Sequence, residues 1–98
     1  MFYAVWCGKC AMMRPVIEDL EKKYQKKYFG SICFFEVETS ESALLAAQYQ
    51  TALLPSFLIF KDRELIATMQ GMIPQKELDS RLQKLLTVQM RTQSTENL

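Results

Sequence analysis

The chain has 98 residues, of which 49% are hydrophobic and 23% are charged, and its formal net charge is +1. This length suits one small globular domain, and the composition is too apolar for a disordered chain. A charge close to zero gives no electrostatic reason to expect nucleic acid or an anionic membrane as a partner. The sequence shows no run of about 18 apolar residues and no secretory signal pattern, so we expect a cytoplasmic protein without a membrane segment.

The first half of the sequence predicts a strand, a helix and a second strand. Residues 2–6 form a short aromatic and β-branched run, which is typical of a buried strand. From Gly8 the apolar residues fall at helical spacing as far as Gly30, and Pro15 within this pattern should kink the helix. The nearly continuous apolar run over residues 31–37 predicts a strand that is buried on both faces.

The second half predicts a helix, a hairpin and a last helix. Thr39 or Ser40 is suited to cap the second helix of the chain, whose apolar side chains are Leu44, Leu45 and Ala47. Residues 55–60 and 65–70 predict two strands joined by a polar turn. Pro74 suits the start of the last helix, whose apolar stripe comprises Leu78, Leu82, Leu85 and Leu86.

The predicted element order is therefore β-α-β-α-β-β-α, an α/β arrangement. A β-α-β start implies a right-handed crossover between parallel strands, and the hairpin adds an antiparallel pair. We expect a mixed four-stranded sheet flanked by helices. The domain is assigned to residues 1–87, and residues 88–98 are assigned to a polar C-terminal tail.

Cys7 and Cys10 carry the strongest chemical signal, because the pair follows a predicted strand and opens a predicted helix. At a helix start, free amides and the positive end of the dipole should bring the pKa of Cys7 below the usual value of about 8.5. Cys10 lies one turn further on and deeper in the helix. An exposed thiolate beside a shielded thiol suits thiol–disulfide exchange, with room for a substrate at Gly8 and a cation at Lys9.

Two other interpretations of the cysteines stay open. A structural zinc site takes four ligands, whereas this chain has one C-x-x-C, no histidine and only Cys33 besides, so we expect no metal site within a single chain. A metal ion or cluster that bridges two chains through Cys7 and Cys10 is the first alternative, and an ordinary pair of core cysteines is the second. Cys33 itself is expected to be buried and inert.

Pro55 stands at the start of a predicted strand, within the sequence L-L-P-S-F. A proline in this place loses no ladder hydrogen bond, so a simple strand start is one interpretation. The other is a cis Leu54–Pro55 bond that presents the backbone of Leu54 to a ligand strand. Propensity alone favours the simple strand start.

The ordered set of these motifs resembles thioredoxin. The resemblance rests on W-C-G-K-C at residues 6–10, on Pro15, on L-L-P-S-F-L-I-F at residues 53–60 and on Gly71, and it extends over residues 2–86. It implies a thioredoxin-like fold. The strand and helix that usually precede the active-site strand are missing, which would leave the strand at residues 31–37 on a sheet edge.

The resemblance also implies a role for each site residue. Cys7 would be the attacking nucleophile, and Cys10 would be the resolving cysteine. Four residues would flank the active site: Trp6, Gly8, Lys9 and a cis Pro55. Three residues would bind the substrate, through main-chain hydrogen bonds and an apolar rim: Leu54, Gly71 and Met72.

Members of this family reduce disulfides in client proteins, and a disulfide reductase, often an NADPH-dependent flavoprotein, recharges them. The resemblance therefore implies a protein-disulfide reductase that holds no bound cofactor. We expect a monomer, with neither nucleic acid nor a membrane as a partner. The alternative is a redox-inert binding module that holds a partner protein through Trp6, Leu54 and Met72.

Three residues depart from the family pattern. Met1 stands where the family has a buried aspartate that assists proton transfer, and Glu36 on the neighbouring strand is the candidate replacement. Lys9 stands in place of the commonest proline, at a position that tunes the reduction potential. Arg63 replaces a hairpin glycine, which costs about 1 kcal/mol in a left-handed turn. Together with the short start, these departures lead us to expect a truncated gene model or a fragment with impaired activity.

Overall fold

The computed structural model describes residues 1–29 and 31–96 of the chain. Within these ranges the helices and strands follow one another in the predicted order, β-α-β-α-β-β-α. Their bounds are β1 Phe2–Tyr3, α1 Gly8–Tyr28, β2 Val37–Glu38, α2 Ala43–Gln48, β3 Ser56–Lys61, β4 Glu64–Gln70 and α3 Gln75–Glu96. No helix in this part of the chain is both long and apolar enough to cross a membrane.

The strands form one mixed sheet in the order β2-β1-β3-β4. β1 pairs in parallel with β2 and antiparallel with β3, and β3 and β4 form an antiparallel hairpin. The predicted parallel β-α-β start and the hairpin are both confirmed. β2 lies at an edge of this sheet, as the sequence led us to expect.

The hydrophobic core lies between the sheet and the helices α1 and α3. Helical spacing along α1 brings Met13, Ile17 and Leu20 to one face, where they pack against Phe57 of β3. The cluster is completed by Met69, Ile73 and Leu78. Each such side chain contributes roughly 1.5–3 kcal/mol relative to an exposed one, so this side of the sheet provides most of the driving force for folding.

A polar contact ties the C-terminal half of α1 to α3. The hydroxyl of Tyr24 donates a hydrogen bond to Asp79 Oδ1 at 2.6 Å, and the Lys23 ammonium pairs with the same carboxylate. One turn further on, the Tyr28 hydroxyl donates to Gln83 Oε1 at 3.0 Å. These bonds hold two helices of the same layer together where the apolar stripe of α1 ends.

The expected strand over residues 31–37 is wrong in its length and in its burial. β2 covers only Val37–Glu38, and Phe35 is 74% exposed. The register of the sheet places Val37 opposite Phe2, the first residue of β1. Before Val37, the Met1 amino group donates to the Phe35 carbonyl at 2.7 Å, and residues 31–34 lie outside the sheet. Cys33 lies in this unpaired segment and is exposed, so the expectation that it is buried is also wrong.

The cap predicted for α2 is wrong too, and its apolar side chains are not buried. The N-cap is Ser42 and its side chain makes no capping hydrogen bond, whereas the Ser40 hydroxyl donates to Glu38. None of the residues of α2 is buried, and Leu44 is 89% exposed. The helix is anchored from its C-terminal side instead, where the ring of Tyr49 lies between the rings of Phe2 and Phe60, at 6.3 and 5.5 Å.

The ends of the long helices differ in part from expectation. α1 ends at Tyr28, and Phe29 caps it in a left-handed conformation with φ 52°; Gly30, the expected stop, lies outside the described residues. α3 continues to Glu96, so residues 92–96 are helical, and residues 97–98 lie outside the described part of the chain. The division into a domain at 1–87 and a tail at 88–98 stays a prediction.

Candidate active site

The chain leaves the sheet directly after β1 and forms a turn that leads to the cysteines. Ala4 is buried, and its carbonyl accepts a hydrogen bond from the Cys7 N–H at 3.1 Å. Trp6 is 78% exposed. The prediction of a buried strand over residues 2–6 is therefore wrong beyond Tyr3, because β3 pairs with β1 only at Phe2. The turn places Trp6 and Cys7 at the end of the sheet.

Cys7 is the N-cap residue of α1. Its backbone is extended, and its Sγ accepts a hydrogen bond from the Cys10 N–H at 3.2 Å. The first turn of the helix carries no acidic side chain, so the positive end of the dipole is not neutralised there. A Cβ added at Gly8 would meet no atom within 4 Å apart from its chain neighbours and its own helix backbone, so there is open space at this position next to Cys7.

The two cysteines differ sharply in exposure. Their Cα atoms are 5.3 Å apart and the sulfurs are joined as a disulfide. Cys10 is 1% exposed, whereas Cys7 is half-buried and Lys9 between them is exposed. A reagent arriving from solvent therefore reaches Cys7 and not Cys10.

Pro55 and Gly71 lie at the same end of the sheet as Cys7. The Leu54–Pro55 peptide bond is cis, and the Gly71 N–H donates to the Pro55 carbonyl at 2.8 Å. Because β1 and β3 run antiparallel from the Phe2–Ser56 pair, the chain before Ser56 lies beside the chain after Tyr3. Gly71 has φ +84°, a conformation that other residues rarely adopt, and Met72 beyond it is exposed.

Met1 stands at the position of the family's aspartate, and Glu36 is its candidate replacement. Met1 packs against the core cluster with its side chain. Glu36 lies 3.4 Å from Arg14 Nε in an ion pair, and its side chain is partly exposed. Among the described residues, no three His, Cys, Asp or Glu side chains come together as a metal site.

One acidic residue near the site was missed by sequence reasoning. Glu38 is buried, and its Oε2 accepts a hydrogen bond from the Glu41 N–H at 2.9 Å and another from the Ser40 hydroxyl. The Ser40 hydroxyl, followed by the Glu41 N–H and with a smaller effect from the Val5 amide, lowers the pKa of Glu38. The available signal was the sequence E-T-S-E, since a serine and a free amide two and three residues on can close a turn around a carboxylate.

Comparison with known proteins decides the family. A family model described as Thioredoxin matches residues 1–84. The chain belongs to the thioredoxin family. The thioredoxin of Porphyra purpurea is 33% identical over 86 residues, which cover 88% of this chain and 77% of that protein. The chloroplastic M-type thioredoxin of Spinacia oleracea is 34% identical over 86 residues, which cover 88% of this chain and 45% of that protein.

Solved structures of thioredoxins share the fold. A thioredoxin from Nicotiana alata superposes with a TM-score of 0.74 at 29% identity, over 85% of this chain and 67% of that one. The oxidised mitochondrial thioredoxin 3 of Saccharomyces cerevisiae superposes with a TM-score of 0.73 at 29% identity, over 85% of this chain and 73% of that one. The thioredoxin-like fold expected from the sequence is confirmed, and the family supports an oxidoreductase role in general terms.

Proposed function

We propose that this chain reduces protein disulfides by dithiol–disulfide exchange through Cys7 and Cys10. The observation that supports this most directly is the asymmetry of the pair at the start of α1. Cys7 caps the helix beside open space, and Cys10 is shielded within disulfide distance of it. The amides and dipole of a helix start favour a thiolate over a thiol.

The proposed reaction exchanges two electrons in two steps. The Cys7 thiolate attacks one sulfur of the client disulfide, so that a mixed disulfide forms and the other client sulfur leaves as a thiolate. Cys10, after losing its proton, attacks Cys7 Sγ, releases the second client sulfur and closes the Cys7–Cys10 disulfide. The client gains two electrons and this chain loses them.

The client is proposed to bind as an extended segment across the surface beside Cys7. Leu54, before the cis proline, offers main-chain groups for such a segment. Gly71 and the exposed Met72 form one rim, and Trp6 forms the other. Gly8, Lys9 and Pro55 flank the sulfurs.

A disulfide reductase must then return the two electrons, and we propose an NADPH-dependent thioredoxin reductase as that partner. The exchange itself needs only the two sulfurs, so no bound cofactor is proposed. We further propose that the protein works as a cytoplasmic monomer, without nucleic acid or a membrane. Alternatively, two chains could share a metal ion or cluster, and metal analysis of protein purified without chelator distinguishes the two cases.

The decisive measurement is the reduction of insulin disulfides with dithiothreitol as electron donor. The wild-type chain is expected to accelerate precipitation of the insulin B chain, and Cys7→Ser is expected to abolish the acceleration. Cys33→Ser is the matched control and should keep the full rate, since Cys33 is exposed and lies in the unpaired segment before β2. A wild-type rate no greater than that of Cys7→Ser would contradict the proposal.

A trapping variant then identifies the clients. Cys10→Ser leaves the mixed disulfide at Cys7 unresolved, so client proteins should accumulate as covalent adducts that dithiothreitol releases. Adducts that form equally well in Cys7→Ser would show that another sulfur, such as Cys33, reacts instead.

A redox-inert module that binds a partner through Trp6, Leu54 and Met72 is the second candidate, favoured by the exposed apolar side chains of Trp6 and Met72. In that case Cys7→Ser would keep partner binding and cellular function, whereas Trp6→Ala would lose both. Under the reductase proposal, Cys7→Ser loses function in cells.

A further inference from the structure

Glu38 is a buried acidic side chain that the proposed exchange reaction does not use. The residue is 7% exposed. Its Oε2 accepts two hydrogen bonds, whereas its Oε1 is buried without a hydrogen-bond partner among the described residues. In the same part of the chain, no Lys or Arg forms an ion pair with it. Burying a carboxylate without a cation is costly, so this placement calls for an explanation.

The sheet places this carboxylate under the turn that leads to the cysteines. Glu38 lies opposite Tyr3 in parallel register, so both side chains point to the same face of the sheet. Arg14 of α1 lies over the Tyr3 ring, 4.8 Å from its centroid, which identifies this face as the one covered by α1. The Thr39 N–H donates to the Tyr3 carbonyl at 2.9 Å, so Glu38 lies beside the end of β1, from which the chain leads to Cys7, and the Val5 amide contributes to lowering its pKa.

The charged groups around Glu38 do not neutralise it. From α1, Arg14 is paired with Glu36 at 3.4 Å. From the turn before α2, Glu41 brings a second carboxylate, which is exposed. Lys9, the cation closest to Cys7 in the sequence, is exposed as well, so that water and salt screen its charge. Among the described residues, Glu38 is thus held by hydrogen bonds and not by an ion pair, and its negative charge remains.

We propose that Glu38 is a positioning residue for Cys7: its carboxylate braces residues 4–7 against the start of α2, and its fixed charge opposes the Cys7 thiolate. The helix start acts in the opposite direction, by stabilising the thiolate. The two effects together set how much of Cys7 is ionised and how well it leaves in the resolving step. The consequence for turnover rests on the proposed reductase function, but the effect on Cys7 does not require a client.

The test is the pH dependence of Cys7 alkylation by iodoacetamide in the reduced protein, with Cys33→Ser as background. Glu38→Gln keeps the size of the side chain and removes its charge. The alkylation midpoint should therefore fall by about half to one pH unit, the effect expected when one nearby charge is removed from a partly buried site. Glu41→Gln, which removes an exposed charge from the same turn, is the control and should keep the wild-type midpoint. A Glu38→Gln midpoint at or above the wild-type value overturns the proposal.

Ser40→Ala provides a second test that does not depend on how well Glu38→Gln folds. It keeps the charge and removes one of its hydrogen-bond donors, so the midpoint should rise by roughly a few tenths of a pH unit. Ser42→Ala, at the N-cap whose side chain makes no capping bond, is its control. A Ser40→Ala midpoint that stays or falls also overturns the proposal.

The alkylation and insulin assays separate the two proposals. Shifted midpoints without any insulin reduction would contradict the reductase function and leave the role of Glu38 intact. Full insulin reduction with unshifted midpoints would support the reductase function and contradict the role of Glu38.

Discussion

Asp62 and Arg63 occupy the two central positions of the β3–β4 turn, and both have a positive φ, 52° and 70°. A two-residue hairpin loop of this kind matches the twist of its strands, which is why the left-handed conformation persists here. For a residue with a Cβ this conformation costs roughly 1–2 kcal/mol. The expected cost at Arg63 is thus located in the structure at the turn tip.

Arg63→Gly is therefore expected to raise the free energy of unfolding by about 0.5–1 kcal/mol. The gain is smaller than the conformational cost because glycine also loses more backbone entropy on folding, about 0.5–1 kcal/mol. Urea denaturation measures the change as a higher midpoint at an unchanged slope. Arg63→Ala is the control: it keeps a Cβ and should stay near the wild-type stability, so equal midpoints for the two variants would refute the account.

The contact between α1 and α3 depends on the ionised form of Asp79. Hydrogen bonding by Lys23 and then by the Tyr24 hydroxyl lowers the pKa of Asp79 below its ordinary value of 3.8. Burial and the neighbouring Asp79 carboxylate raise the pKa of Tyr24 in turn, so its hydroxyl stays protonated as the donor. A group whose pKa is lowered by folding adds stability above its unfolded pKa and loses it as the pH falls through the folded one.

Asp79→Asn should therefore flatten the loss of stability below about pH 4. At pH 7 the substitution should cost about 1 kcal/mol, the usual net contribution of one hydrogen bond, because solvent screens the charge in this partly exposed pair. Urea midpoints at pH 7, 4 and 3 measure both effects. Asp19→Asn, which removes an exposed carboxylate from α1, is the control. The same loss of stability between pH 7 and pH 3 in both variants would argue against the role of Asp79.

The two strands of the hairpin were predictable from the sequence, and the bounds of β1 and β2 were not. The bounds of β3 and β4 were predicted closely, because apolar runs on both sides of a polar turn are local signals. Residues 31–37 have equally strong β propensity, yet only Val37 joins the sheet. Pairing depends on where the partner strand begins, and nothing within residues 31–37 encodes that.

The molecule as a whole is stabilised from one side of its sheet. Side chains from α1, β3, β4 and α3 form the core cluster on that side. On the other side, α2 contributes no buried residue, and a groove of about 330 Å³ separates its C-terminal end from the sheet residues Leu58 and Thr68. Local stability should follow this difference, since segments with few buried apolar contacts open most easily.

Leu20→Ala and Leu44→Ala are expected to differ strongly as a result. Leu20 is 1% exposed, and its truncation should cost about 2–5 kcal/mol through lost burial and a cavity. Leu44→Ala should change stability by about 0.5 kcal/mol or less, because the side chain is in solvent. Denaturant unfolding measures both, and native-state hydrogen exchange should show α2 amides exchanging faster than those of β3. An equal loss of unfolding free energy for the two substitutions would show that the side of the sheet with α2 is packed as well.

At the same scale, the sequence was enough to propose only the residues of the candidate site that belong to linear motifs. Cys7, Cys10 and Pro55 were proposed in this way, because a motif can be read along the chain without knowing the fold. Glu38 was missed because its burial arises from β1, its own turn and α1 meeting at one place. Such a convergence of three segments has no local sequence signature.

The length of α1 has a mechanical consequence. Its 21 residues make a rod of about 30 Å with Cys10 near one end and the Tyr24–Asp79 contact near the other. Because Cys10 is 1% exposed and the far end of the helix is tied to α3, we expect the sulfur of Cys10 to move less than that of Cys7 when the disulfide opens. We expect the adjustment to fall to the turn at residues 4–7, which lies outside the strands and the helix. The buried cysteine on α1 is thus expected to stay fixed while the turn that carries Cys7 moves. Each redox cycle should then require little reorganisation of the fold.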